Sequence, residues 1–126
     1  MPGEKILVVD DEEEILNLLE KKLLKENYKV LKAATAQDAL QKAQRLSPQL
    51  MLMDITLPDM EGSEAVRVLS ENPSTRDIPV IFLSGIITRE DQLLHPEINV
   101  GGRLYPAIAK PFVFEELLRE IKNKLE

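Results

Sequence analysis

Residues 5–15 read KILVVDDEEEI: one lysine, four aliphatic residues, then five consecutive carboxylates, Asp10, Asp11, Glu12, Glu13 and Glu14, before the next apolar position. A short apolar run that ends abruptly in acid is the pattern of a buried strand delivering charge to its carboxyl end. Four more short runs follow, Val30 to Ala34, Leu50 to Met53, Val80 to Leu83 and a weaker one from Leu104 to Ala109. Between them lie one-sided helical stretches. Ile15, Leu18, Leu19 and Leu23 fall at offsets of 3, 4 and 8, and Phe114, Leu117, Leu118, Ile121 and Leu125 at 3, 4, 7 and 11. Thr35 followed by Asp38 is close to a capping box and starts a second helix. A third follows Gly62 and ends near Asn72-Pro73, and a fourth follows Ser84. Strands alternating with helices predict an α/β fold: a doubly wound, five-stranded parallel sheet with helices on both faces.

Length and composition narrow the function classes. The 126 residues are expected to form one domain, without an output domain. A formal net charge of -6 argues against a nucleic-acid partner, which needs a basic patch. With no cysteine there is no disulfide, thiolate metal site or cysteine nucleophile. The N-terminus lacks a secretory h-region and no apolar run approaches the length of a membrane span, so a cytoplasmic location is expected.

In doubly wound sheets, functional groups gather beyond the carboxyl ends of the strands. Asp10 and Asp11 end the first run, Asp54 the third (LMLMDITLPDMEG), Ser84 the fourth (IPVIFLSG) and Lys110-Pro111 the fifth (AIAKPF). Clustered carboxylates resist ionisation unless a cation neutralises them, and an oxygen-only donor set suits a hard ion such as Mg²⁺. Each residue also has a plainer reading. The Asp10-Asp11 pair and Ser84 can cap helices, Leu57-Pro58-Asp59 can be a turn, Lys110 can be a solvated lysine, and Glu12, Glu13 and Glu14 favour a helix start through its dipole. His95 reads as a loop residue without a role.

The four strand ends, in order, resemble the receiver domain of two-component response regulators over nearly the whole chain. That resemblance, to a fold known from a chemotaxis receiver, implies the strand order 2-1-3-4-5. It implies that Asp54 accepts a phosphoryl group from a histidine kinase or phosphotransfer protein. Mg²⁺ would be held by Asp11, Asp54 and the backbone carbonyl of Thr56, with Asp10 acting through water. Lys110, whose bond to Pro111 is cis in the family, and Ser84 would contact the phosphoryl group. Thr56 and Ile86 would tune its lifetime, and a phosphorylation-linked homodimer is a further expectation. The downstream partner is not implied, and the domain would be a regulatory switch rather than a conventional enzyme.

The departures lie in the last third. Ser84 and Lys110 are 26 positions apart, a few more than receivers usually show. Receivers often carry Tyr or Phe three residues before the lysine, where this chain has Ala107. Tyr105 shares that strand face but is displaced by about 7 Å, so it substitutes only in part, and Pro106 fits an edge strand. Two other readings stay open: a receiver-like binding module that is never phosphorylated, and an aspartate-nucleophile phosphatase of the haloacid dehalogenase type. The latter wants Asp-x-Asp, whereas the chain has Asp54-Ile55-Thr56. No glycine-rich nucleotide-binding motif occurs.

Overall fold

The computed structural model describes residues 3–86, 90 and 96–126. The elements in chain order are β1 (Lys5–Val9), α1 (Glu13–Lys25), β2 (Lys29–Ala33), α2 (Ala36–Leu46), β3 (Leu50–Asp54), α3 (Gly62–Ser70), β4 (Val80–Ser84), β5 (Glu97–Val100), β6 (Arg103–Ala109) and α4 (Phe114–Leu125). The expected helix after Ser84, and His95, fall outside the described residues.

One sheet holds every strand among the described residues, in the order β2-β1-β3-β4-β6-β5. Its first five members are parallel and reproduce the expected doubly wound order. Alternate side chains of each strand enter opposite cores. Leu7, Val9, Met51, Met53 and Phe82 face the buried alanines of α2 and the apolar stripe of α3. Ile6, Val8, Leu50, Leu52, Ile81 and Leu83 face α1 and α4. The central strands are fully enclosed, which is why they read as continuous apolar runs.

The edge differs from the expected five-stranded sheet. The run ending at Ala109 is not the edge, because β5 pairs antiparallel with it from Glu97↔Pro106 to Val100↔Arg103. Gly101 and Gly102 join the two strands, both at positive φ (61° and 89°), as a two-residue hairpin turn requires. That Gly-Gly pair between Val100 and Arg103 is the sequence signal for the extra strand. The hairpin lies within the long stretch from Ser84 to Lys110. Pro106 is tolerated inside the sheet because the β4 ladder begins only at Ala107, past the missing N–H.

Candidate functional site

Three strand ends converge on one lysine. Asp10 follows β1, Asp54 ends β3 and Lys110 follows β6; Lys110 Nζ lies 2.8 Å from Asp10 Oδ2 and 3.2 Å from Asp54 Oδ2. Asp10 Oδ2 is buried, and the Lys110 ammonium is its ion-pair partner. Asp10 Oδ1 accepts from Glu12 N–H at 2.9 Å, and Asp54 Oδ1 from Thr56 N–H at 3.2 Å. Asp10 has no exposed surface and Asp54 only 5%, whereas Asp11 is exposed. Asp10, Asp11 and Asp54 each offer a carboxylate oxygen within 4.8 Å of the other two.

Burial is the main influence on Asp10 and lifts its pKa, outweighing the Lys110 and Glu12 contacts that lower it. Burial also depresses Lys110, but its bonds and charge interactions with Asp10 and Asp54 outweigh that and hold its pKa above the ordinary lysine value. The two directions are compatible because a single ammonium serves several carboxylates. A second cation is therefore a chemical fit. The clustered carboxylates of Asp10, Asp11 and Asp54 form an all-oxygen donor set that a hard divalent ion matches.

Above this cluster is an open cleft of about 580 Å³ lined by residues including Asp11, Asp54, Thr56, Ile86 and Lys110. Ser84 is buried at the end of β4; its Oγ accepts from Ile86 N–H at 3.2 Å and its carbonyl accepts from Lys110 N–H at 2.8 Å. Ile86 is 81% exposed beside it. The Lys110-Pro111 bond is cis. Tyr105 is elsewhere. It is buried edge-to-face on Phe82, with ring centroids 5.9 Å apart, while the residue paired with Ser84 is Ala109.

Two contacts escaped the sequence reading. Glu12, assigned with Glu13 and Glu14 to a helix start, is the N-cap of α1, and its Oε1 is 3.4 Å from Lys110 Nζ. Asp59, taken for a turn residue, caps α2 through Ala36 and Gln37 N–H. Neither has a local signal, because both partners are distant in sequence.

Gly62 closes the site from behind. A Cβ there would sit 2.2 Å from the Asp54 carbonyl oxygen, so only glycine permits α3 to start against the end of β3.

Among known proteins, the chain is 40% identical over 121 residues to response regulator PleD of Caulobacter vibrioides, covering 96% of this chain and 27% of that protein. It is 35% identical over 123 residues to regulatory protein VanR of Enterococcus faecium, covering 98% of this chain and 50% of that one. The chain thus spans half or less of these relatives. Among solved structures, it resembles the receiver domain of sensor histidine kinase PA1611 from Pseudomonas aeruginosa, which has a magnesium ion coordinated in its active-site cleft (27% identity, 98% of each chain, TM-score 0.83). It also resembles a CheY-like receiver domain protein from Methanospirillum hungatei (34% identity, 98% of this chain and 94% of that one, TM-score 0.81). The family model for the response regulator receiver domain matches residues 6–122, and the chain belongs to that family.

Proposed function

We propose that this domain is a phosphorelay switch in which Asp54 accepts a phosphoryl group from a histidine kinase or phosphotransfer protein and the product changes partner binding. The observation carrying this reading is the convergence of Asp10, Asp11 and Asp54 around a cleft shared with Lys110. One Asp54 carboxylate oxygen forms a bond to phosphorus as the phosphorus–nitrogen bond of a phosphohistidine breaks, its electron pair leaving with the imidazole. Asp11, Asp54 and the Thr56 carbonyl, with Asp10 through water, would hold Mg²⁺, which would supply charge neutralisation for the phosphoryl oxygens.

Lys110 then exchanges its Asp54 contact for the phosphoryl oxygens, a charge-assisted pairing. Ser84 uses its oxygen to accept from Ile86 N–H, which leaves its own hydroxyl proton to donate to a phosphoryl oxygen. That bond exists only in the phosphorylated state, so it can bias a two-state equilibrium. Thr56 and Ile86 line the cleft mouth, where their side chains control access of water to the acyl phosphate.

The test is intact mass after incubation with a small-molecule phosphodonor and Mg²⁺, for the native chain and Asp54→Asn, with an EDTA control. One added phosphoryl group requiring both Asp54 and metal is the expected result. No adduct, with Mg²⁺ binding also absent, overturns it in favour of a phosphorylation-independent binding module; steady turnover of phosphomonoesters overturns it in favour of a phosphatase.

A further inference from the structure

Asp59 stands at the tip of the loop between β3 and α3, and each of its carboxylate oxygens is committed to a different amide of α2. Oδ1 accepts from Ala36 N–H at 2.8 Å and Oδ2 from Gln37 N–H at 2.9 Å. These first-turn amides have no partner within the helix. The helix's own cap, Thr35 Oγ1, takes the Asp38 N–H at 3.1 Å and leaves the other two to Asp59. The same loop is fastened to β3 at its base. Gly62 N–H donates to Ile55 O at 2.6 Å, and Thr56 pairs with Glu61 in an isolated antiparallel bridge. Thr56 therefore lies on a segment with one anchor on the strand bearing Asp54 and the other on α2. The second anchor is firm, because Ala36, Ala39 and Ala43 are completely buried against the sheet.

We infer that Asp59 is a positioning residue for the phosphoacceptor site, holding the segment that carries the Thr56 carbonyl so that this oxygen is in place for the cation. The inference rests on the reading given under Proposed function. An untethered carbonyl must be ordered when the ion binds, at a cost in affinity, whereas a clamped one is ordered in advance. The coupling is reciprocal: whatever Asp59 contributes to cation binding, the cation returns to the clamp on Ala36 and Gln37.

The experiment compares wild type with Asp59→Ala, Asp59→Asn and Thr35→Ala. Thr35→Ala removes a different first-turn bond of the same helix without touching the loop. Mg²⁺ affinity is read from amide chemical-shift titration, and hydrogen exchange of Ala36 and Gln37 is followed with and without Mg²⁺. Phosphorylation rate with a small-molecule phosphodonor is measured across Mg²⁺ concentrations. Asp59→Ala is expected to weaken Mg²⁺ binding roughly 3- to 10-fold, with the phosphorylation rate restored at saturating Mg²⁺. Asp59→Asn, which keeps one acceptor oxygen, is expected to fall between it and wild type, and Thr35→Ala to stay within about twofold of wild type. In wild type, Mg²⁺ slows exchange at Ala36 and Gln37.

Equal affinities in wild type and Asp59→Ala, or equal losses in Asp59→Ala and Thr35→Ala, overturn the inference and leave Asp59 a helix cap. If Asp59→Ala does not fold, Asp59→Asn against Thr35→Ala decides by the same criterion. Wild type that binds Mg²⁺ but gains no phosphoryl group overturns the functional reading while the affinity comparison still decides this one. Wild type that binds no Mg²⁺ overturns both.

Discussion

Lys110 Nζ sits 2.8 Å from Asp10 Oδ2, inside a cluster where Asp10 has no exposed surface and the ammonium must also serve Asp54. The pair is attractive, yet burial still disfavours the Asp10 charge. A group whose pKa is raised on folding contributes stability that is complete below its unfolded value, about 3.9 for Asp, and is lost as pH rises through the folded value. Without metal, ionised Asp10 is therefore a liability. Asp10→Asn should raise Tm in EDTA by a few degrees near neutral pH, on the order of 1 kcal/mol. The gain should shrink as pH is lowered through the carboxylate range. Thermal unfolding across pH, with and without Mg²⁺, checks this, and added Mg²⁺ should stabilise wild type more than the variant.

Lys110 behaves oppositely. Its raised pKa means that its contribution is complete below about 10.4 and is lost only in strong alkali. Lys110→Gln leaves Asp10 and Asp54 facing each other without the ammonium, a loss of about 2–3 kcal/mol when metal is absent. Mg²⁺ should recover more stability in this variant than in wild type. Denaturant unfolding in EDTA and in Mg²⁺ measures the difference, and equal Mg²⁺ gains would contradict shared neutralisation.

Gly62→Ala should be among the most damaging substitutions. Its Cβ would fall 2.2 Å from the Asp54 carbonyl oxygen, a backbone atom that cannot swing aside. Strand and helix must separate, at a cost of roughly 3 kcal/mol or more. A Tm drop of at least about 8 °C is expected, together with loss of phosphoryl acceptance because Asp54 moves with its backbone.

Ala107 pairs with Phe82, and its N–H donates to Pro96 O at 3.1 Å, just before β5. Ala107→Tyr places the aromatic common in the family into a position with 2% exposure, and overpacking should cost about 1–3 kcal/mol. Wild-type switching is expected to move Tyr105 little, since its ring is braced against Phe82. Amide shifts around residues 105 and 107 with and without a phosphoryl mimic test this; family-like movement there would count against an atypical coupling.

How much was legible in the sequence follows from the range of each interaction. The alternation of apolar runs with amphipathic stretches places β1 to β4 within one residue and marks the four described helices, because periodicity is local. The ends of those runs put Asp10, Asp54, Ser84 and Lys110 at one side of the sheet once the strands are parallel. The edge was legible only in part. Gly101-Gly102 marks a hairpin, yet Pro106 argued for an edge strand, and register alone reveals that the β4 ladder starts beyond it.

Amino-acid sequence by itself determined the α/β class, the strand-end placement of the acidic residues and the lysine, and the need for something to neutralise them. Tertiary structure alone decided which carboxylates the lysine reaches, that Glu12 turns toward it across 98 residues of chain, and that Asp59 spans 23 residues to hold α2. The physical reason is that strand and helix periodicity arises between near neighbours. A hydrogen bond or ion pair between distant segments exists only after the sheet has brought their backbones together.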